Sequence, residues 1–228
     1  MLSVIIVSGG KSSRMNGINK QFVELCGIPV IIRSINAFDN IDEICEIIIV
    51  TNTDCLEAMK KLIAKYSFNK KIKITVGGQT RQQSVFNGFK LVDKKSDYVA
   101  IHDGARPLIS RNVIEQLIEN VKFYKATTVG VPVKDTIKVV ENGFIKNTPE
   151  RDTLYITQTP QVFEKNLYTE SVEGAIKSGL DFTDDCQLVE NIGYKVFMTI
   201  GEYTNIKITT PDDIKLAENL LKEVSKWE

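Results

Sequence analysis

Three short strings of small and charged residues could hold a phosphorylated ligand. The first is Ser8-Gly9-Gly10-Lys11-Ser12-Ser13-Arg14-Met15, with Lys20 six residues past Arg14. Small residues let backbone N–H groups approach an anion, and the cations Arg14 and Lys20 can grip a polyphosphate. The spacing is neither the P-loop pattern nor Gly-x-Gly-x-x-Gly. The second string is Gly77-Gly78-Gln79-Thr80-Arg81-Gln82-Gln83-Ser84. Its glycines allow close backbone approach, and Ser84 falls one turn into a helix opened by the capping box Thr80-x-x-Gln83. The third is His102-Asp103-Gly104-Ala105-Arg106-Pro107. An Asp at a strand end beside a phosphate site can hold Mg²⁺ through one carboxylate. His102, the one histidine of the chain, reads as a packed or hydrogen-bonded ring beside the site rather than as a base. Plainer readings stand beside these: a glycine turn with solvated cations for the first string, a tight turn with an ordinary cap for the second.

Later polar clusters are weaker one by one: Lys134-Asp135-Thr136, Arg151, Gln158-Thr159-Pro160-Gln161 and Asn205-Ile206-Lys207. Lys207 also fits an edge-strand charge that blocks aggregation. Thr183-Asp184-Asp185 reads as a helix cap, and Cys26, Cys45 and Cys55 as small hydrophobes.

The elements that must position these residues follow from periodicity. Leu2–Val7 is a short β-branched run read as a buried strand, a run containing Ile47–Val50 reads as another, and Ile72–Val76 and Tyr98–Ile101 read as a third and fourth strand. Helical patterns separate them. One begins at Pro29 with Val30, Ile31, Ile35 and Phe38. One is capped by Asp54, one by Thr80, and one starts at Ser110. Four β-α repeats predict a mainly parallel sheet with helices on both faces, and ligands in such a sheet lie beyond the carboxyl ends of the strands. After Ala126 the rhythm changes. Thr136–Val140, Asn142-Gly143 and Phe144–Thr148 read as a β-hairpin, because Asn-Gly suits a type I′ turn. Further strands are expected at Leu154–Thr157, Lys195–Ile200 and Asn205–Ile208. Helices are expected over Glu164–Lys177, after Thr183, and from Thr210-Pro211. The expected organisation is one domain over 1–228 with an inserted arm at about 134–152.

Composition narrows the function. Lys plus Arg and Asp plus Glu are 29 each, so no basic excess points to a nucleic-acid polymer. No apolar run reaches the ~18 residues of a membrane span. The N-terminus has no basic region of the signal-peptide kind. The four cysteines lack Cys-x-x-Cys spacing, which disfavours zinc and dithiol redox sites and fits a cytoplasmic setting.

Together these strings resemble the 2-C-methyl-D-erythritol 4-phosphate cytidylyltransferase family, from Val4 to about Leu220. The most specific pieces are His102–Pro107, Pro132-Val133-Lys134-Asp135-Thr136-Ile137-Lys138, Gln158–Phe163 and Asn205-Ile206-Lys207-Ile208-Thr209-Thr210-Pro211. The first loop departs from the family at Ser12, where a second glycine is usual. The resemblance implies a Rossmann-like α/β fold and transfer of a cytidylyl group from CTP to the sugar-alcohol phosphate. Pyrophosphate is released, in the non-mevalonate route to isoprenoid precursors. It implies catalytic roles for Arg14 and Lys20 on the nucleotide phosphates and for Arg151 and Lys207 on the acceptor phosphate. Asp103 is implied near Mg²⁺ or another divalent cation. Ser8, Gly9 and Gly10 belong to the nucleotide loop. Gly78, Gln79 and Ser84 are implied in the cytosine pocket, and Arg106, Thr136 and Thr159 in substrate contacts. A homodimer through the hairpin arm is implied as well. Two other readings stand beside this one: a ribitol 5-phosphate cytidylyltransferase, which shares the CTP half, and a nucleotide-binding regulatory module without turnover.

Overall fold

The computed structural model describes residues 1–10 and 19–224. Strand β1 (Leu2–Val7) leads through a small hairpin, β2 (Glu24–Leu25) and β3 (Ile28–Pro29), into helix α1 (Val30–Asp39). Strand β4 (Ile44–Thr51), α2 (Leu56–Ile63), β5 (Lys71–Val76), α3 (Arg81–Phe89), β6 (Tyr98–Asp103) and α4 (Arg111–Tyr124) follow. Then come β7 (Ala126–Pro132), a hairpin of β8 (Val139–Glu141) and β9 (Phe144–Asn147), and β10 (Tyr155–Glu164). The chain closes with α5 (Lys165–Ser178), α6 (Asp185–Asn191), β11 (Phe197–Ile200) and α7 (Pro211–Val224).

Seven strands form one sheet in the order β11-β7-β10-β6-β1-β4-β5. All pairs are parallel except the two made by β10. Side chains alternate across each strand, so β1 serves two cores at once. Val4 and Ile6 join Ile31, Ile35 and Phe38 of α1, Met59 of α2, and Val113 and Leu117 of α4. Ile5 faces the other way, into Val85 of α3, Tyr168 and Val172 of α5, and Leu188 of α6. With both faces covered, these strands carry nearly continuous apolar runs, as parallel strands do. The expected mainly parallel sheet with helices on both faces is the architecture observed.

Several local expectations need correction. β7 and the central part of β10 were not expected as strands. Gly130 and Pro132 interrupt the short Thr127-Thr128-Val129 run, and Pro160 argues against a mid-sheet position. The sheet accommodates Pro160 because the β10–β7 register breaks between Thr157 and Gln161. Asn205–Ile208 is not a strand: Ile208 N–H bonds the Ala105 carbonyl, and side chains make the remaining links. The cap ahead of α2 is Asn52, whose side chain accepts the Cys55 N–H, not Asp54. Asp184, not Thr183, caps α6. The Asn-Gly hairpin forms as expected, with φ of 51° at Asn142 and 84° at Gly143, though its first strand begins at Val139 rather than Thr136.

Candidate active site

The carboxyl ends of four adjacent strands meet at one edge of the sheet. Val7 pairs with Asp103 on one side and with Val50 on the other, and Thr51 pairs with Val76. Backbone bonds continue past the ends: Ser8 N–H to the Val50 carbonyl, Gly77 N–H to Thr51, and Gly104 N–H to Val7. This register aligns the starts of all three strings of small and charged residues. Ser8 is buried and its hydroxyl donates to the Val50 carbonyl at 2.9 Å. Gly10 is exposed, with open space where a Cβ would stand. Arg14 lies outside the described residues.

In the second loop the Ser84 hydroxyl donates to the Thr80 carbonyl (2.9 Å) and accepts the Gly78 N–H (3.0 Å). It therefore shapes the loop from within. Glycine is needed here because a Cβ on Gly77 would stand 2.5 Å from the Ser84 Oγ. Gln79 N–H bonds the Gln83 Oε1 at 2.9 Å, closing the capping box one residue earlier than its usual form.

At the third loop charges converge on Asp103. Lys207 Nζ lies 2.6 Å from Asp103 Oδ2, and Arg106 Nε lies 3.9 Å from the same oxygen. Burial alone would raise this carboxyl, but Lys207, Arg81 and Arg106 overcome it and hold it down at about 2. Arg106 is partly buried, and the desolvation lowers its guanidinium while Asp103 opposes that shift. Its Nε has no hydrogen-bond partner among the described residues. Its Nη1 donates to the Asn205 carbonyl at 2.8 Å. Lys20 joins the same corner through a 3.0 Å bond from Nζ to the Ile208 carbonyl. One acid and three cations, drawn from three separate stretches of chain, therefore line one corner at the strand ends.

A profile of the 2-C-methyl-D-erythritol 4-phosphate cytidylyltransferase family matches residues 2–223. The chain belongs to this family. The protein of that name from Caldanaerobacter subterraneus is 48% identical over 225 residues, covering 97% of this chain and 99% of the relative. The one from Clostridioides difficile is also 48% identical, covering 97% and 94%. Among solved structures, a 4-diphosphocytidyl-2C-methyl-D-erythritol synthase from Anaerococcus prevotii superposes with a TM-score of 0.86 at 35% identity, covering 97% of this chain and 96% of that one.

Within this cytidylyltransferase frame the remaining candidates divide. Thr159 stands beside Asp103, its hydroxyl accepting the Asp103 N–H at 3.0 Å. Thr136 and Arg151 stand apart from that corner, on the exposed arm, where Arg151 Nη1 is 3.4 Å from the Lys134 carbonyl. His102 is fully buried, with each ring nitrogen in a hydrogen bond. Desolvation pushes its pKa down to about 4, so the ring is neutral at pH 7. That agrees with its reading as a packed, hydrogen-bonded ring.

Other supporting residues carried little signal in the sequence. Asn205 is fully buried and donates to Gln158 Oε1 and to the Thr159 carbonyl, both at 3.1 Å. Asp185, expected only as part of a cap, takes Arg81 at 2.7 Å and the Tyr168 hydroxyl at 2.6 Å. Burial would lower the Arg81 guanidinium, but the Asp185 and Asp103 carboxylates more than reverse this and raise it. Arg81 thus links the second loop to α6. These contacts join residues 17 to 104 positions apart, which no local spacing reveals.

Asp103 suits Mg²⁺ by its donor chemistry. It is a single, permanently ionised carboxylate at a strand end, and Mg²⁺ is commonly held by one or two carboxylates plus substrate phosphates. No cluster of three or more potential metal ligands occurs among the described residues, so the nucleotide would have to supply much of the coordination.

Proposed function

We infer that this chain transfers the cytidylyl group of CTP to 2-C-methyl-D-erythritol 4-phosphate, releasing pyrophosphate, in isoprenoid precursor biosynthesis. Full-length family membership carries this reading, and the cationic corner at Asp103 gives it a chemical basis. The nucleophile is an oxygen of the acceptor's phosphate monoester. With a second pKa of about 6, that group is mostly dianionic at neutral pH and needs no general base. The oxygen forms a bond to the α-phosphorus of CTP while the bond to the bridging oxygen of the β-phosphate breaks. Pyrophosphate departs with that electron pair.

The obstacle is repulsion between two anions, so catalysis consists of positioning and charge neutralisation. Lys20, with Arg14, is assigned to the nucleotide phosphates, where charge grows on the leaving group. Lys207 and Arg151 are assigned to the acceptor phosphate. Ser8, Gly9 and Gly10 offer backbone groups to the nucleotide. Gly78, Gln79 and Ser84 form the base pocket, and Arg106, Thr136 and Thr159 contact substrate. Asp103 would hold Mg²⁺, whose contribution when bound is Lewis-acid neutralisation of the triphosphate.

The same reading makes the protein a homodimer through its arm. Every residue of β8 and β9 is exposed, and Val140, Phe144 and Ile145 are 58%, 79% and 63% exposed. A two-stranded hairpin with apolar side chains in water needs a packing partner. In the dimer, Thr136 and Arg151 would reach the neighbour's Asp103 corner. A cytoplasmic setting belongs to this reading too. All four cysteines are free thiols, and no helix among the described residues is long and apolar enough to cross a membrane.

The direct test is pyrophosphate release in a two-by-two assay: CTP or GTP against 2-C-methyl-D-erythritol 4-phosphate or ribitol 5-phosphate. Turnover only with CTP and the methylerythritol phosphate is expected. Preference for ribitol phosphate would replace the acceptor, and no turnover with either would leave a binding module.

A further inference from the structure

The turn that carries Asp103 and Arg106 is held by side chains at the point where backbone pairing stops. The ladder between β6 and β10 ends at Ile101 opposite Gln161. Beyond it, the Asp103 N–H donates to the Thr159 hydroxyl oxygen at 3.0 Å. That hydroxyl lies 3.1 Å from His102 Nδ1, and His102 Nε2 lies 3.1 Å from the Arg106 carbonyl. Elementary donor counting fixes every direction in this chain. A carbonyl only accepts, so Nε2 carries the proton; the neutral ring's Nδ1 then accepts, and Thr159 donates to it. The imidazole is locked by packing as well, edge-on to Phe38 with centroids 5.0 Å apart. Since none of the His102 side chain reaches solvent, it cannot touch a substrate.

We propose that His102 is a positioning residue for cytidylyl transfer. Its two ring nitrogens brace the Asp103–Arg106 turn against β10 and so set where the Asp103 carboxylate and the Arg106 guanidinium meet the phosphates. This rests on the functional reading above. A rigid five-membered ring with one donor and one acceptor on opposite edges bridges both ends of the turn, and an apolar ring of similar size cannot. The Arg106 carbonyl would lose its donor and the Thr159 hydroxyl its acceptor. The turn would then be free to relax, while the packing around Phe38 survives.

Because the chain has one histidine, long-range ¹H–¹⁵N correlation spectra of the whole protein report on this ring alone. The neutral ring with its proton on Nε2 is expected, and Thr159→Val should shift the Nδ1 resonance while leaving the Nε2 proton in place. A proton on Nδ1 in the unmodified protein would overturn the brace, since such a ring leaves the Arg106 carbonyl without a donor. Kinetics supply the functional arm. His102→Phe should raise the acceptor KM and the Mg²⁺ concentration for half-maximal rate, and should lower kcat/KM by about tenfold to a hundredfold. His102→Gln retains a donor that can reach the Arg106 carbonyl and should recover much of that loss. A folded His102→Phe protein with unchanged KM values and Mg²⁺ response would sink the positioning role. If His102→Phe does not fold, Thr159→Val combined with the ring spectra decides: a ring resonance that ignores the lost hydroxyl overturns the proposal. An unmodified protein that fails to release pyrophosphate would instead refute the cytidylyltransferase reading, and the spectra would still report the brace.

Discussion

Lys20 and Lys207 meet at one short segment, the first through the Ile208 carbonyl and the second beside it on Asp103. Their removal should nonetheless read differently. On the proposed assignment Lys20→Ala deletes charge that matters most as pyrophosphate leaves, so kcat should fall by roughly a hundredfold or more, with kcat/KM falling alongside. Lys207→Ala should raise the acceptor KM and slow turnover while CTP affinity stays nearly intact. Steady-state kinetics on both substrates plus a CTP titration check both, and a Lys207→Ala protein that lost CTP affinity alone would exchange the two assignments. His102 makes a pH prediction. Its pKa is about 4 in the folded chain against 6.5 in an unfolded one. Between those values the unfolded chain binds the extra proton and the folded chain does not. Stability should therefore be unaffected by this group above pH 6.5 and should fall as the pH drops from 6.5 toward 4. Urea titrations across that window should show the slope, and His102→Gln should flatten it.

Helix α3 approaches the sheet closely enough that only glycine fits at one contact. A Cβ on Gly88 would stand 2.7 Å from Val50 Cγ2 and 2.8 Å from Ile5 Cγ2. Both neighbours are fully buried strand residues, so neither has room to retreat. Gly88→Ala should cost about 1–3 kcal/mol by overpacking, against a small gain in helix propensity. Urea unfolding measures this. The same helix opens with the Thr80 cap and carries Ser84, which bonds Gly78. Pushing it off the sheet should therefore also raise the KM for CTP more than that for the acceptor. Equal increases for both substrates would mean that the Gly77-Gly78 loop does not serve the nucleotide.

In the proposed dimer the arm is where the molecule would extend past its own chain. If Thr136 and Arg151 complete a neighbour's site, two inactive proteins can rescue each other. Lys207→Ala and Arg151→Ala, mixed and allowed to exchange subunits, give a hybrid in which one site carries both lesions and the other none. Random pairing makes half the dimers hybrids, so activity should recover to about a quarter of the unmodified level. No recovery despite demonstrated exchange would place both residues in one chain's own site. Replacing Phe144 and Ile145 by lysine should weaken the dimer in light scattering and lower activity in step.

Local pattern alone revealed the parallel half of the sheet and the loops that end it. Val4–Val7 is β-branched throughout, and the Thr80 and Ser110 caps accept the N–H groups of Gln83 and Val113 as such residues do. The Asn142-Gly143 turn was legible for the same reason, since its φ values are a property of two adjacent residues. The Gly9-Gly10 and Gly77-Gly78 pairs were legible as loops past strand ends, because glycine tolerates tight turns whatever its distant contacts. Tertiary structure decided the rest. Strand β10 carries a mid-strand proline that only a broken register tolerates. The 205–208 segment looks like a strand but is held by Gln158, Thr159, Ala105 and Arg106. The joining of Asp103, Lys207, Arg106 and Lys20, the brace at His102 and the Arg81–Asp185 pair all depend on contacts between distant stretches of chain. Hydrophobic periodicity records which face of an element is buried, but not which polar partner a folded chain will bring to it.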